Sequence, residues 1–227
     1  MQIETTYGDT DVVITGTVNK RALVFLHEVN ACNPIAFEIL KNLANDFQIY
    51  VIVLATPQNQ SSEFQLNFHN NSYGKWMYEI LSRLAIQNAF LFGCEFGGFV
   101  ALKTLTFDEK RIAKTFLVAP TGIVKPGWLS YFLKIFHSRK RLKNANRTLD
   151  VFAIPRITEK ETLKIKTPLY IFTSENDVFY SSQRLQKHAT KLFPSLKETI
   201  VLDDTKIVQV QKRGKTIAEK ITKIMQP

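Results

Sequence analysis

Short runs of β-branched and aromatic residues alternate with segments of helical period from one end of the chain to the other. This alternation is typical of βα units that build a mostly parallel sheet. Several of the runs are apolar almost throughout, as expected for strands that are covered on both faces. The runs predict seven strands: Asp11 to Thr15, Arg21 to Leu26, Gln48 to Ala55, Asn88 to Gly93, Lys114 to Ala119, Thr167 to Thr173 and Glu198 to Asp203.

The segments between these strands carry the spacing of amphipathic helices. In the last segment, Ile217, Ile221, Ile224 and Met225 fall on one face. The chain shows no internal repeat and no linker rich in Gly, Ser or Pro, so residues 1–227 are predicted to form one domain. The predicted helices are Pro34 to Ala44, Tyr73 to Ala85, Phe96 to Thr106, Ser181 to Phe193 and Lys215 to Met225.

One connection is far longer than a crossover requires. Roughly 46 residues, from Thr121 to Lys166, separate two predicted strands, which indicates an insertion at about 121–166 over one edge of the sheet. Its first part places Trp128, Phe132, Ile135 and Phe136 along one helical stripe. The insertion holds eleven basic and three acidic residues, so it carries +8 of the chain's formal net charge of +10.

Composition narrows the class of protein. A chain of 227 residues, 45% apolar and 22% charged, buries enough surface to fold without a metal or a disulfide. Two cysteines, Cys32 and Cys94, favour a reducing compartment. The start of the chain lacks a basic and apolar leader, and no stretch reaches the ~18 apolar residues of a membrane span. These features predict a soluble, cytoplasmic protein, and the near-neutral charge outside the insertion argues against nucleic-acid binding.

A strand, a sharp turn and a helix are encoded between Phe90 and Leu102. The turn reads Gly93-Cys94-Glu95-Phe96-Gly97-Gly98, and its outer glycines permit a strained reversal that raises Glu95 at the C-terminal edge of the sheet. This segment resembles the nucleophile turn, G-x-S-x-G, of the α/β-hydrolase superfamily. Leu23 to Glu28 resembles that family's strand ending in His-Gly, and Thr167 to Asp177 resembles its strand and loop ending in the catalytic acid. The resemblance implies an α/β-hydrolase fold, with a mostly parallel central sheet flanked by helices and a short cap.

The residues at the catalytic positions depart from the family pattern. Glu95 stands where the family has serine, or cysteine or aspartate in some branches, and a carboxylate has no proton for a base to remove. The family's histidine follows the last strand, and its position here falls at Ile207, or at Lys206 if the register slips by one. Asp177 matches the acid, although a turn-capping role explains it equally well. Cys94 is expected to be a small buried apolar residue.

The resemblance also implies a pocket. His27, Glu28, Val29 and Phe96 correspond to the oxyanion region, where the N–H of Phe96 is one expected donor and Glu28 replaces a glycine. The aromatic stripe of the insertion, with Trp128 and Phe132, is expected to line an apolar pocket beneath the cap. His69 and His188 are expected to be ordinary loop and helix residues.

Two changed triad positions predict an α/β-hydrolase family protein that has lost ordinary serine-hydrolase catalysis. It would retain a pocket for a small apolar or acyl-type molecule, with no cofactor and no bound metal. The first alternative is an active hydrolase of ester, amide or carbon-halogen bonds that uses Glu95 as nucleophile or base. In that case His137 of the cap is a candidate replacement for the missing histidine.

Three further hypotheses remain open at this stage. Glu28, Glu95 and Asp177 meet at one sheet edge, where they would hold a hard cation or keep one carboxyl protonated. Glu95 would otherwise cap its own helix and pair with Lys206 or with a lysine of the cap. The basic segment 128–147 would contact an anionic membrane surface or an acidic partner.

Overall fold

The computed structural model describes residues 1–28, 34–54, 65–127, 152–175, 177, 180–202 and 210–225. At 27, 28, 34 and 210–212 it describes the backbone alone. Eight strands form one sheet: β1 (Gln2–Thr5), β2 (Gly8–Gly16), β3 (Ala22–Glu28), β4 (Gln48–Leu54), β5 (Ala89–Cys94), β6 (Ile112–Val118), β7 (Leu169–Ser174) and β8 (Leu196–Leu202).

The strand order in the sheet is β1-β2-β4-β3-β5-β6-β7-β8. β2 runs antiparallel to β1 and β4, and all other neighbouring strands are parallel. The prediction of a mostly parallel sheet is confirmed, and each of the seven predicted strands is present. The sequence prediction missed β1, because only two of its four residues, Ile3 and Thr5, are buried and its order comes from pairing with β2.

Helices flank the sheet on both faces. Those described are α1 (Pro34–Leu43), α2 (Ser72–Arg83), α3 (Phe96–Phe107), α4 (Glu159–Thr162), α5 (Ser182–Leu192) and α6 (Val210–Met225). The five predicted helices are confirmed, with α6 starting five residues earlier than its apolar spacing indicated. The one-turn helix α4 was missed because it is too short for a periodic signal. A capping box between Thr158 and Glu161 defines it instead.

Each face of the sheet has its own apolar core. Side chains of α2, α3 and α5, such as Trp76, Phe99 and Leu185, pack on one face. Side chains of α1 and α6 pack on the other, where Ile217 and Ile221 are fully buried with Ile224 and Met225 against them. The predicted apolar face of the last helix is therefore confirmed. Among the described residues, no helix combines the length and the apolar character that crossing a membrane requires.

The two ends of the predicted insertion pack on the core of the α2, α3 and α5 face. Ile123 and Val124 lie in that core beside Ile154, Ile157 and Ile165 from the returning segment. A partly buried ion pair, 2.7 Å from Lys103 Nζ on α3 to Glu161 Oε1 on α4, holds the returning segment to α3. Burial acts to raise the pKa of Glu161, but hydrogen bonds from Lys103 and Thr158 and the Lys103 charge outweigh it, so the pKa is lowered. Residues 128–151 of the predicted cap lie outside the described residues.

Candidate active site

The carboxyl ends of the parallel strands meet at one edge of the sheet, where open α/β folds bind ligands. Glu28 is the last residue of β3, Glu95 directly follows β5, and Asp177 lies in the loop after β7. The register confirms a common edge, because the parallel strands β3, β5, β6 and β7 are aligned: Leu26 pairs with Gly93, Cys94 with Val118, and Val118 with Phe172. The predicted placement of these acidic residues at the C-terminal edge is correct as far as their backbone is concerned.

Glu95 occupies a strained backbone conformation at the tip of the turn between β5 and α3. Its φ is 50° and its ψ is −113°, a region that residues other than glycine adopt at a cost of about 1–3 kcal/mol. Backbone hydrogen bonds hold this conformation: the Glu95 N–H donates to Val118 O at 2.9 Å, and the Glu95 carbonyl accepts from the N–H groups of Gly98 and Thr121 at 3.0 and 3.1 Å. The neighbouring strand and loop therefore fix the reversal.

Two glycines of the turn are required by close backbone approach. A Cβ on Gly93 would lie 2.5 Å from the carbonyl oxygen of Gly97. A Cβ on Gly97 would overlap the carbonyl oxygen of Leu26 in β3, which belongs to the sheet and cannot move aside. The G-x-x-x-G spacing is thus a packing requirement of strand, turn and helix, whatever residue stands between the glycines.

The side chain of Glu95 is exposed and makes no capping hydrogen bond to α3. The hypothesis that Glu95 caps its own helix through its carboxylate is therefore wrong. Capping side chains come from residues in the extended β region, and the positive φ of Glu95 places its carboxylate elsewhere. Lys206, its suggested partner, lies outside the described residues.

Phe96 begins α3 and is fully buried. Its ring stacks on Phe99 at 6.2 Å and meets Tyr73 and Phe68 edge-on at 5.7 and 5.9 Å. These four rings form an aromatic cluster directly beneath the turn. The backbone N–H of Phe96 belongs to the first turn of the helix, whose donors have no partner within the helix. The side chain of Phe96 therefore packs in the core, and Phe96 can contribute to the site only through its backbone.

Asp177 is half-buried and orders the loop after β7. Its Oδ1 accepts the N–H of Tyr180 at 2.9 Å, and its own N–H donates to the carbonyl of Ser174 at 3.4 Å. An aspartate that accepts from a backbone N–H a few residues later stabilises a turn. The turn-capping interpretation of Asp177 is confirmed.

Tyr180 joins this site, although the sequence did not single it out. Burial raises the pKa of its phenol, and the negative charges of Asp177 and then Glu95 raise it further. Both carboxylates therefore act on the same phenol, which stays protonated and able to donate a hydrogen bond at neutral pH. The available sequence signal was an aromatic residue three positions after Asp177 and just before Ser181, the N-cap of α5.

Cys94 is buried, as predicted, and its side chain packs in the core on the α1 and α6 face. Burial, and secondarily the charge of Glu95, raises the pKa of its thiol far above the usual range. A thiol kept protonated is a poor nucleophile. Cys94 is therefore a structural residue.

Several predicted site residues fall outside the described part of the chain: Val29, Trp128, Phe132, His137, Lys206 and Ile207. Of His27 and Glu28 only the backbone at the end of β3 is described. His69 lies in the loop before α2, where its N–H donates to Asn67 Oδ1 at 2.8 Å. His188 lies on α5, with Nδ1 2.8 Å from the carbonyl oxygen of Arg184. Both match the ordinary loop and helix roles expected for them.

Within the described residues, no group of three or more His, Cys, Asp or Glu side chains is placed to hold a metal ion. The described chain does carry a groove of about 300 Å³ between α1 and α6. Since α1 and α6 both end at the N-terminal edge of the sheet, this groove lies at the edge opposite to Glu95 and is separate from the candidate site. Its lining residues are Asn42, Asp46, Ala218, Glu219, Thr222 and Lys223.

Comparison with known proteins gives matches in structure alone. No protein-family model and no curated protein sequence matches the chain. The carboxylesterase CesB of Bacillus subtilis superposes with a TM-score of 0.76 at 14% identity, over 98% of this chain and 89% of that one. The naproxen esterase of Bacillus subtilis superposes with a TM-score of 0.77 at 15% identity, over 100% of this chain and 90% of that one.

A third similar structure is the meta-cleavage product hydrolase of Pseudomonas fluorescens, with a TM-score of 0.69 at 13% identity, over 99% and 98% of the two chains. These similarities extend along nearly the whole chain. The chain therefore has the α/β-hydrolase fold, with Glu95 at the tip of its strand-turn-helix.

Proposed function

We propose that this protein has lost ordinary serine-hydrolase catalysis and binds a small apolar or acyl-type molecule at the C-terminal edge of its sheet. The observation that carries the proposal is the exposed Glu95 side chain at the tip of a strained turn. Three backbone hydrogen bonds of Glu95 hold this turn in place. The turn presents a side chain to the site. The side chain that it presents cannot act as a hydroxyl nucleophile.

The groups around Glu95 support the loss of catalysis. A carboxylate offers no proton to a general base and is a weak acyl acceptor. Asp177 accepts the N–H of Tyr180 and so has a structural task. Of the two histidines whose side chains are described, His188 contacts the backbone of its own helix and His69 lies in the loop before α2. Neither supplies Glu95 with a base through its described contacts.

The surroundings of the turn support binding of an apolar molecule. The aromatic cluster of Phe68, Tyr73, Phe96 and Phe99 lies beneath it, and Phe68 is the member that is only partly buried. The first turn of α3, which begins at Phe96, adds backbone N–H groups that have no partner within the helix. Apolar walls with a few polar groups are typical of small-molecule sites.

Turnover of short- and medium-chain aryl esters tests the loss of catalysis. The wild type, Glu95→Gln and Glu175→Gln are assayed side by side, since Glu175 is an exposed carboxylate in the loop after β7 and controls for charge near the site. We expect all three to match the buffer rate. Turnover by the wild type that disappears in Glu95→Gln and persists in Glu175→Gln would make Glu95 catalytic and establish the active-hydrolase alternative.

Calorimetric titration with a medium-chain fatty acid and its methyl ester tests the second part of the proposal, the binding of a small apolar or acyl-type molecule. We expect Phe68→Ala to weaken binding about tenfold, which corresponds to roughly 1.4 kcal/mol. Phe107→Ala is the matched control, because Phe107 is an exposed ring at the far end of α3. An absence of binding by the wild type, or equal effects of the two variants, would refute a pocket at this edge.

A further inference from the structure

Basic residues mark the ends of the long helices at the N-terminal edge of the sheet, opposite to the candidate site. Lys41, Arg83, Lys191 and Lys223 lie in the last turns of α1, α2, α5 and α6. A cation in the last turn complements the helix dipole, and its long side chain extends past the helix end into solvent. All four residues are exposed.

The loops that enter the parallel strands at this edge are also rich in basic residues. They hold Lys20 and Arg21 before β3, Lys110 and Arg111 before β6, and Lys164 and Lys166 before β7. The acidic residues of the same loops are Asp46, Asp108 and Glu109. Loops and last helical turns together hold ten basic and three acidic residues, a formal net charge of +7. We call this set of residues the basic edge.

The charge of the basic edge is not offset by ion pairs within the described part of the chain. The ion pairs there are Lys103–Glu161 and Lys215–Glu219, and neither includes a residue of the basic edge. The carboxylate of Glu109 is turned toward the start of β7, where its Oε2 accepts the N–H groups of Lys166 and Thr167, both at 2.8 Å. A surface with this excess of one sign attracts an anionic partner.

Three large apolar side chains are exposed at the same edge. Val18 in the turn before β3 is 69% exposed, Leu163 before β7 is 61% exposed, and Phe107 at the end of α3 is 37% exposed. Each is followed within three residues by an exposed lysine: Lys20, Lys164 and Lys110. Apolar tips beside lysines are typical of membrane-surface contacts, because the apolar group enters the interface while the ammonium group stays with the lipid phosphates.

The turn that carries Val18 is anchored by hydrogen bonds. The Thr17 N–H donates to Phe47 O at 3.0 Å, and the Thr17 hydroxyl lies 3.2 and 3.0 Å from the carbonyl oxygens of Ala44 and Asn45. These bonds join the turn to the loop between α1 and β4. Val18 is therefore exposed on a turn that is already ordered, which lowers the entropic cost of a contact made through it.

We propose that the basic edge docks this protein on an anionic membrane surface. The lysine ammonium groups of the edge contact lipid phosphates, and Val18, Phe107 and Leu163 enter the boundary between headgroups and acyl chains. The candidate site, at the opposite edge of the sheet, then faces away from the membrane. The proposal does not depend on which ligand that site binds.

The extent and composition of the edge favour a membrane over a nucleic acid. From β2 to β8 the edge spans seven strands, which is about 29 Å at the usual strand spacing. The basic and apolar residues are spread over this width. A nucleic acid draws on the basic residues through its phosphates but leaves the aliphatic tips of Val18 and Leu163 in water. A membrane interface accommodates both kinds of residue.

Co-sedimentation of the full chain with lipid vesicles tests the proposal. We expect the wild type to bind vesicles of phosphatidylcholine and phosphatidylserine in equal parts, and to bind pure phosphatidylcholine vesicles about tenfold more weakly. Binding to the mixed vesicles should weaken as the salt concentration rises, because salt screens charges on an exposed surface. Double-stranded DNA at the same salt concentrations serves as the competing anionic partner.

Charge reversal locates the contact. The combined variant Lys20→Glu, Lys110→Glu and Lys164→Glu should weaken binding to the mixed vesicles about tenfold. The matched control has the same net charge and reverses three exposed basic residues of the opposite edge: Lys75, Lys125 and Arg184. A second control reverses three basic residues of the insertion: Arg139, Lys140 and Arg141. Both controls should stay within about twofold of the wild type.

Tryptophan fluorescence detects entry of an apolar tip into the interface. We expect the emission of Val18→Trp to shift to shorter wavelength on the mixed vesicles. Val201→Trp is the control, because Val201 is an exposed apolar residue near the other end of β8, and its emission should not shift.

Four outcomes would each overturn the proposal. The first is a wild type that does not bind the mixed vesicles. The second is a loss in either control variant as large as the loss in the basic-edge variant. The third is vesicle binding without a shift for Val18→Trp. The fourth is binding to DNA that depends on the basic edge, without binding to vesicles.

Discussion

The turn after β5 and the loop after β7 lie at the same edge of the sheet but keep different features of the α/β-hydrolase pattern. After β5 the backbone is preserved in its strained form, and the residue at its tip, Glu95, departs from the serine pattern. After β7 the sequence offers the aspartate that the resemblance leads one to expect, Asp177, and its carboxylate accepts the N–H of Tyr180. The turn after β5 thus has the strained backbone without a serine, and the loop after β7 has the aspartate with a structural role.

This difference shows which forces maintain each feature. The turn at Glu95 is imposed by contacts of Gly93 and Gly97 with backbone atoms of the turn and of β3, and those contacts do not depend on the residue at the tip. The aspartate after β7 stabilises its own loop, so it has a structural reason to be present without a histidine to orient. Neither a preserved backbone nor a preserved side chain therefore establishes catalysis.

The largest effect is expected from breaking the geometry of the turn. Gly97→Ala would place a Cβ against the Leu26 carbonyl, and we expect the free energy of unfolding to fall by about 3 kcal/mol. Gly8→Ala is the control: nothing lies within 4 Å of its Cβ, so only its positive φ costs stability, about 1 kcal/mol. Urea unfolding of both variants measures the difference. Equal losses would mean that close approach does not maintain the turn.

A smaller effect is expected from removing the side chain that the β7 loop retains. Asp177→Ala leaves the Tyr180 N–H without its acceptor, and we expect a loss of about 1 kcal/mol in the free energy of unfolding. Asp177→Asn keeps an oxygen acceptor and should stay within about 0.5 kcal/mol of the wild type. Thermal unfolding of the two variants compares them. An asparagine variant as unstable as the alanine variant would show that the charge matters more than the hydrogen bond.

The smallest effect is expected from replacing Glu95 at the tip of the turn after β5. Glu95→Gly should raise the free energy of unfolding by roughly 0.5–1 kcal/mol, because glycine adopts a positive φ without the steric cost that Glu95 pays. Glu95→Ala keeps the strain and serves as the control, with no gain expected. Chemical denaturation resolves differences of this size. A destabilised glycine variant would mean that contacts of the Glu95 side chain outweigh the backbone strain.

Much of the fold could be predicted from local sequence. The strands from β2 to β8 and the helices α1, α2, α3, α5 and α6 each contain enough periodic apolar positions to be recognised. The sequence did not predict β1 or α4, because a segment of four residues carries too little periodic pattern. Both elements also depend on partners elsewhere in the chain. β1 is ordered by β2, and α4 is fixed by its capping box and by Lys103 on α3.

The candidate site was predictable in position and less so in chemistry. The glycine spacing around Glu95 indicated a sharp turn, and the strand ends placed Glu95 and Asp177 at one edge. The capping role suggested for Glu95 was wrong, because a capping residue takes the extended β region and Glu95 has a positive φ. Tyr180 was missed because its burial and the charges acting on it come from residues far apart in sequence.

By itself the sequence determined the βα alternation, the apolar faces of the helices and the residue types at the turn after β5 and in the loop after β7, because these depend on side-chain type and local spacing. Only the tertiary structure decided what those residues do. The strain at Glu95 comes from contacts with β3, β6 and the loop after β6, and the structural role of Asp177 comes from its hydrogen bond with Tyr180. Each of these depends on contacts between distant segments, and such contacts exist only in the folded chain.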